Sequence, residues 1–313
     1  MLSDKKVFDY LVRATAEFRN IPEHAVARDY LICKILEKLS KSEFKERCVF
    51  KGGTSLSKCY PNTIERFSED IDLTYLPNEN ESNKNIEKAL KKVEILLGEG
   101  LVIEKIESER SNRNKSSYLY DKRLGEDYRI KLEIGSSVRP EPYSLHSIKT
   151  YFQEFLETLP NGKEYIEKYN LNSFEVNTLN IERTFMDKIF AIKRHSLEGS
   201  IESKARHIYD VFKLWNHKEI KDFIADENRF KQLSQLIKST DAEYLSGKRE
   251  CNVYIPNGNF DYELWRSNLD NQILRENYER LHKELLYTNE KQEFSEALNV
   301  LEEIGNLFVE SGE

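Results

Sequence analysis

Residue types that can bind phosphate lie together near residue 50 of this 313-residue chain. They are two glycines followed by two hydroxyl residues: Gly52, Gly53, Thr54 and Ser55. Val49 and Phe50 before them predict a short apolar strand. Glycine accepts the backbone angles of a tight turn and lets a ligand come close to the main chain. Thr54 and Ser55 favour the start of a helix, whose N-terminal amides and dipole attract phosphate. The segment is therefore predicted to be a phosphate-binding turn.

Two aspartates follow in the sequence Asp70-Ile71-Asp72-Leu73. In a strand, the period of two places both carboxylates on one face, about 6.6 Å apart along the chain. Carboxylates in that arrangement can hold a divalent cation such as Mg²⁺ or Mn²⁺. The plainer alternative is an exposed strand face, because D-x-D spacing also arises by chance. Together with the glycine turn, the pair predicts transfer of a nucleotidyl group from an NTP.

Glu133 is a candidate third carboxylate. It lies in a segment, residues 128–134, whose alternation predicts a strand with Arg129, Lys131 and Glu133 on one face. A two-metal site requires another carboxylate from a neighbouring strand, which can also deprotonate the attacking hydroxyl.

Lys188 lies within an otherwise apolar helical stripe. The stripe is formed by four residues: Ile181, Phe185, Ile189 and Ile192. A lysine there either extends its ammonium to solvent or directs it into a polar cleft. Asp210 lies four residues after Arg206, so a surface salt bridge within one helix is its plain interpretation.

The remaining pattern combines helices with a few strands. Strands are predicted at residues 101–106 and 117–120, and from about Leu145 onward the helical period dominates. The predicted helices span residues 4–18, 22–41, 86–97, 147–159, 181–195, 204–217, two segments within 218–237, 262–287 and 291–308.

The bulk composition is that of a globular protein with a polar surface. Charged residues make up 33% of the chain, hydrophobic residues 39%, and the net charge is −7. No apolar run approaches the roughly 20 residues of a membrane span, so no membrane association is expected. Four cysteines lack C-x-x-C or zinc spacing, which predicts reduced thiols and a cytoplasmic location: Cys33, Cys48, Cys59 and Cys251.

A negative net charge does not predict general binding to nucleic acid, but a local basic face would suffice. Two groups of residues could form one, although solvated surface charge is the simpler interpretation. The first group is Arg110, Arg113, Lys115, Lys122, Arg123, Arg129 and Lys131, and the second is Lys188, Lys193, Arg194, Lys204 and Arg206.

The motifs resemble those of the AbiEii/AbiGii toxin family, nucleotidyltransferases of the DNA polymerase β superfamily. The similarity covers about residues 22–215. Its segments are Ala27-Arg28-Asp29-Tyr30, Lys51-Gly52-Gly53-Thr54-x-Leu56, Arg66-Phe67-Ser68-Glu69-Asp70-Ile71-Asp72-Leu73, Lys131-Leu132-Glu133, residues 181–189 and Arg206-His207-Ile208-Tyr209-Asp210. Two departures are the sixteen residues that separate Gly53 from Asp70 and a Glu at 133, where the family often has Asp.

The resemblance implies an α+β fold. A nucleotidyltransferase-like mixed β-sheet flanked by helices would occupy residues 1–175. A C-terminal α-helical bundle, residues 176–313, would contribute Lys188 and Asp210 to the cleft. The resemblance assigns Gly53 and Thr54 to the triphosphate, Asp70 and Asp72 to the metals, Glu133 to the third carboxylate and Lys188 to the phosphates. Asp210 would complete the site, and Lys51, Gly52, Ser55, Arg66 and Ser68 are further candidates for nucleotide binding.

By the same resemblance, the protein is expected to be a toxin of a toxin–antitoxin system, with a cognate antitoxin protein as a partner. The acceptor hydroxyl would belong to RNA, with the 3′ end of tRNA as the first expectation. Two alternatives remain open. One is a small-molecule nucleotidyltransferase of the antibiotic-modifying kind, and the other is a non-catalytic module that binds a nucleotide or a partner protein.

Overall fold

The computed structural model describes residues 2, 4–245, 253–288 and 290–312. The chain divides into two compact units. The first comprises residues up to 59 together with 67–179, and the second comprises residues 60–66 together with those from 180 onward. The boundary predicted between residues 175 and 176 falls inside a strand of the first unit, Phe174–Leu179.

One mixed sheet organises the first unit. Its strands within the described residues are β1 (Cys48–Lys51), β2 (Asp70–Tyr75), β3 (Val102–Lys105), β4 (Asn114–Tyr120), β5 (Ile130–Gly135), β6 (Tyr143–Ile148) and β7 (Phe174–Leu179). Their spatial order is β3-β4-β5-β2-β1-β7-β6. Strand β2 runs parallel to β5 and antiparallel to β1, which in turn is parallel to β7. This sheet and its helices confirm the predicted α+β class.

The first unit contains six α-helices within the described residues. They are α1 (Lys5–Arg19), α2 (Glu23–Ser40), α3 (Gly52–Cys59), α4 (Asn83–Leu97), α5 (Tyr151–Leu156) and α6 (Gly162–Lys168). Ile71 and Leu132, from the two strands predicted to carry carboxylates, are fully buried in a core with residues of α2 and α4 such as Leu36 and Leu90. Because side chains alternate along a strand, this packing leaves the carboxylates on the opposite face.

The prediction that helices dominate from Leu145 onward is wrong for β6 and β7. The helix predicted over residues 147–159 is instead the end of β6 followed by α5, because Thr150 begins a new helix by accepting a hydrogen bond from the backbone N–H of Gln153 at 3.0 Å. Strand β7 pairs with β1 and β6, so its structure depends on partners that are distant in sequence.

The second unit is helical. Its helices are α7 (Ile181–Leu197), α8 (Ala205–Trp215), α9 (Lys218–Ala225), α10 (Glu227–Leu245), α11 (Tyr262–Trp265), α12 (Gln272–Glu284) and α13 (Phe294–Ser311). The two helices predicted within residues 218–237 are confirmed. The single helix predicted over residues 262–287 is wrong, because the Asn271 side chain caps a new helix at the backbone N–H groups of Ile273 and Leu274.

No helix among the described residues is long and apolar enough to cross a membrane. Three of the cysteines, Cys33, Cys48 and Cys59, are free thiols, and Cys251 lies outside the described residues.

Candidate active site

The glycine turn is in direct contact with the second aspartate. Gly52 has a φ of +84°, a conformation that side-chain-bearing residues rarely adopt. A Cβ atom at this position would lie 2.2 Å from Asp72 Oδ2. The β1–β2 register explains the approach, since Lys51 at the end of β1 is opposite Asp72. Gly52 is therefore needed both for the turn and for the space that the carboxylate occupies.

The third carboxylate lies beside the same aspartate. In the parallel β2–β5 pair, Asp72 is opposite Glu133 and Asp70 is opposite Lys131. These four residues are half-buried, whereas the alternate residues of both strands are buried in the core. The structure thus brings Asp70, Asp72 and Glu133 to one polar face, with Lys51 at its β1 side.

Lys131 is a cation of this face that pairs with two acids. Its Nζ lies 2.5 Å from Glu133 Oε1 and 2.8 Å from Glu109 Oε2. Burial alone would lower the pKa of the Lys131 ammonium, but hydrogen bonds to Glu109 and Glu133 outweigh burial and raise it. The sequence pattern placed Lys131 on the same strand face as Glu133 and in a candidate basic group, but it did not predict the ion pair between the two side chains. Its position two residues before Glu133 on a strand was the signal that the two side chains share a face.

The donor atoms of this face suit a hard divalent cation. Mg²⁺ and Mn²⁺ prefer carboxylate oxygens, which Asp70 and Asp72 supply, and the bare Cα of Gly52 leaves room for Asp72 Oδ2. Among the described residues, no three His, Cys, Asp or Glu side chains are grouped closely enough to hold a metal ion. Asp70 and Asp72 are therefore the carboxylates that fit a metal ion. Glu133 is paired with Lys131, so it could join them as a ligand only by leaving that ammonium.

Hydroxyl groups fasten the glycine-turn helix α3 to the start of β2. Thr54 Oγ1 forms hydrogen bonds with Ser68 Oγ at 2.9 Å and with the main-chain carbonyl oxygen of Asp70. Ser55 Oγ donates to the carbonyl oxygen of Gly52 at 2.8 Å. Both side chains are buried, so their hydroxyls hold the turn in place. The first N–H groups of α3, including that of Gly53, are the groups left without an intrahelical acceptor.

Lys51 is the basic residue at the end of β1. Its side chain is half-buried, and within the described residues no hydrogen bond or ion pair holds its ammonium. It is opposite Asp72, immediately before the glycine turn. An ammonium in this position can attract an anionic ligand.

In the second unit, Asp210 is the centre of a buried charge cluster. Arg66 Nε donates to Asp210 Oδ1 and Arg66 Nη2 to Oδ2, both at 2.7 Å. Lys188 Nζ lies 2.8 Å from Oδ2. The Asp210 side chain is fully buried, and those of Arg66 and Lys188 are 4% and 7% exposed. The interpretation of Asp210 as a surface partner of Arg206 is therefore wrong, and Lys188 does not extend to solvent.

The cluster also sets the charge of its acid. Burial alone would raise the pKa of the Asp210 carboxyl, but Arg66 and Lys188 outweigh burial and hold that pKa well below its usual range. Asp210 is thus a carboxylate at neutral pH. Arg66 and Asp210 are 144 residues apart in the chain, and no local pattern indicates that they pair.

Most of the first basic group is compensated by acids. Arg110 binds Glu94 with nitrogen–oxygen distances of 2.6 and 2.8 Å, and Arg123 binds Asp121 at 2.6 Å. Lys115 and Lys131 are ion-paired as well, while the Arg129 guanidinium lies over the ring of Tyr118. The four ion-paired residues therefore add little uncompensated positive charge.

Comparison with known proteins gives one family. The profile described as "Nucleotidyl transferase AbiEii toxin, Type IV TA system" matches residues 34–300. Among solved structures, MenT4, a nucleotidyltransferase toxin from Mycobacterium tuberculosis H37Rv, is 17% identical with a TM-score of 0.49, and 96% of this chain and 98% of that one are covered. JHP933 from Helicobacter pylori is 19% identical with a TM-score of 0.40, and the coverage is 90% and 99%. No curated protein sequence matches the chain.

Proposed function

Because this chain belongs to the AbiEii nucleotidyltransferase toxin family of type IV toxin–antitoxin systems, we propose that its polar sheet face transfers NMP from an NTP to an acceptor hydroxyl. The observation that carries the proposal is the contact between Gly52 and Asp72, with Glu133 opposite the same aspartate. The family also implies an antitoxin as a protein partner.

Asp70 and Asp72 would hold Mg²⁺ or Mn²⁺, which when bound neutralises charge on the phosphates and polarises the reacting phosphoryl group. Gly52 keeps room for the Asp72 carboxylate, and Thr54 fixes the main chain at Asp70. The N-terminal amides of α3, together with the Lys51 ammonium, bind the triphosphate. Each of these groups acts through position and charge, as nucleotidyl transfer requires.

Glu133 is the proposed base for the acceptor hydroxyl. Its carboxylate is paired with Lys131, which Glu109 also holds, so Lys131 stays compensated when Glu133 turns to the substrate. The hydroxyl oxygen then attacks the α-phosphorus, and pyrophosphate leaves with the bridging electrons. Ser55 and Ser68 support the turn through their hydroxyl hydrogen bonds. Phosphate contact by Lys188, nucleotide binding by Arg66 and completion of the catalytic site by Asp210 remain predictions from the family resemblance.

The experiment that tests the proposal is incubation of the protein with each labelled NTP, total RNA and Mg²⁺, followed by identification of the labelled species. Asp70→Ala and Asp72→Ala are expected to abolish incorporation. Asp9→Ala is the matched control, because Asp9 is a half-exposed residue of α1 whose partner is Lys5. Full incorporation by Asp72→Ala would contradict the mechanism.

For the acceptor, we propose RNA, with the 3′ end of tRNA as the first candidate. The compensated basic residues favour a second candidate, a small-molecule acceptor that needs no basic groove. The dependence of acceptor binding on salt concentration distinguishes the two candidates. RNA binding through several phosphates weakens steeply between low and high salt, with a slope of about −0.7 per phosphate contact for a single strand. A salt-independent KM for the labelled acceptor would favour the small molecule.

A further inference from the structure

Helix α2 carries an arginine, Arg28, that holds the starts of two strands at once. Its Nη1 donates to Glu69 Oε1, and its Nη2 donates to the main-chain carbonyl oxygen of Asp127 at 2.8 Å. Glu69 immediately precedes Asp70 at the start of β2. Asp127 lies in the turn that leads to Ile130, the first residue of β5. One guanidinium therefore ties together the entries of the two strands on which Asp70, Asp72 and Glu133 lie.

The next residue of the same helix holds the glycine-turn helix. Lys58 Nζ, near the end of α3, lies 2.5 Å from Asp29 Oδ1, and both side chains are 5% exposed. The other oxygen, Asp29 Oδ2, accepts a hydrogen bond from the backbone N–H of Tyr151 at 2.7 Å. Consecutive residues of α2 thus hold three elements of the polar face: Asp29 holds α3, and Arg28 holds β2 and β5.

The relative position of these strands decides whether the carboxylates meet. In the observed register Glu133 is opposite Asp72 on the same face, and a slip by one residue would turn it to the opposite face. The planar fork of arginine can donate to a carboxylate and to a carbonyl oxygen together, whereas the ammonium of a lysine is a point charge that cannot reproduce the fork.

We propose that Arg28 is a positioning residue for nucleotidyl transfer: it touches no substrate and acts through Glu69 and the Asp127 carbonyl to keep the carboxylate strands in place. The inference rests on the proposed function. Its prediction is a loss of kcat with little change in the KM for the NTP, since the N-terminal amides of α3 and Lys51 stay in place.

The test compares Arg28→Gln with Arg47→Gln. Arg47 makes the same kinds of contact at the other end of β2, with Glu81 at 2.6 Å and the carbonyl oxygen of Leu76 at 3.0 Å, and its exposure is similar. Both variants are expected to lose the same amount of melting temperature. Arg28→Gln is expected to lower kcat at least about tenfold, whereas the kcat of Arg47→Gln stays within about twofold of the wild-type value. Arg28→Lys should recover part of the loss. The double variant with Arg28→Gln and Glu69→Gln should show no further loss of kcat beyond that of Arg28→Gln alone.

A second measurement reads the strands directly. In hydrogen exchange, the amides of residues 69–72 and 127–131 should exchange faster in Arg28→Gln than in Arg47→Gln. Equal kcat values in the two variants would overturn the positioning role. If the wild type transferred no nucleotide to any acceptor, the proposed function would fail, and faster exchange confined to these residues would still establish the structural clamp, while unchanged exchange would overturn it.

Discussion

At the scale of single residues, the Asp72 carboxylate leaves no space for a Cβ atom at position 52, so only glycine fits there. Gly52→Ala would place a methyl group on the Asp72 carboxylate and force a positive φ on alanine. We expect a loss of nucleotidyl transfer of about a hundredfold or more and a loss of about 1–3 kcal/mol in the free energy of unfolding. Steady-state transfer and urea unfolding measure the two effects.

Gly125→Ala is the control for backbone strain. Gly125 has a φ of +93° in the same unit, and a Cβ atom there would meet no atom within 4 Å. Its variant should lose stability to a similar extent and keep its activity. Equal activity in the two variants would mean that the space beside Asp72 is unimportant.

Lys131 offers a test that does not depend on turnover. Lys131→Met removes the ammonium bound to Glu133 and a positive charge beside the proposed metal ligands. We expect the variant to bind Mn²⁺ about three to ten times more tightly than the wild type does. Electron paramagnetic resonance of Mn²⁺ measures this affinity. Lys122→Met, at an exposed position of the same unit, should bind Mn²⁺ as the wild type does. An unchanged affinity in Lys131→Met would show that Lys131 does not compete with the metal.

Asp210→Asn should lose stability in a pH-dependent way. The variant leaves Arg66 and Lys188 buried without their carboxylate, which costs about 3–5 kcal/mol at pH 7. The pKa of Asp210 is lowered by folding, so its stabilisation is present above the unfolded pKa of about 3.9 and is lost as the pH falls below that value. Urea unfolding at pH 7, 5 and 3 should show a gap between wild type and variant that narrows only at pH 3. A constant gap would argue against an ionised Asp210.

At the scale of secondary structure, Thr54 joins helix α3 to strand β2. Thr54→Val preserves the shape of the side chain but removes the hydrogen bonds to Ser68 and the Asp70 carbonyl. We expect a loss of about 1–3 kcal/mol and a drop in transfer of about tenfold. Thr15→Val is the control, since the buried Thr15 hydroxyl has no hydrogen-bond partner among the described residues. It should be neutral or stabilising, and a matching loss there would contradict the role of Thr54.

The sequence allowed prediction of the elements whose pattern is local. The alternation around Ile71 and Leu132 predicted β2 and β5 with their polar faces, because one face of each strand is buried. Strand β6 has mostly exposed or half-exposed residues such as Leu145, so its alternation is weak. Its identity as a strand comes from pairing with β7, and β7 in turn pairs with β1 from the first third of the chain.

The same limit applies to the candidate site. Residue spacing predicted the face of the sheet on which Glu133 lies. Its ion pair with Lys131 could not be predicted, because that requires knowing which side chains meet in the folded protein. The two contacts of Arg28 lie 41 and 99 residues away in the chain. Such contacts depend on the packing of α2 against the sheet, which periodicity does not determine.

At the scale of the whole molecule, the two units are not two consecutive pieces of chain. The chain passes between them after residues 59, 66 and 179. Residues 60–66 are fastened within the second unit by the ion pair of Glu65 with Lys213 at 2.5 Å, and by Arg66 on Asp210. The backbone N–H of Tyr287 also donates to the carbonyl oxygen of Glu65 at 3.1 Å. A prediction based on a single boundary could not include this short excursion, because its partners lie more than 140 residues further along.

The excursion of residues 60–66 constrains how the protein could be cut in two. Cutting the chain after residue 179 would yield a helical fragment. That fragment would keep Asp210 but lose the Arg66 guanidinium that pairs with it. The complementary fragment would carry Arg66 with no buried acid to receive it. Reconstitution from halves would therefore depend on the two pieces folding together, and a split reporter or a permuted chain would need its break at some other site.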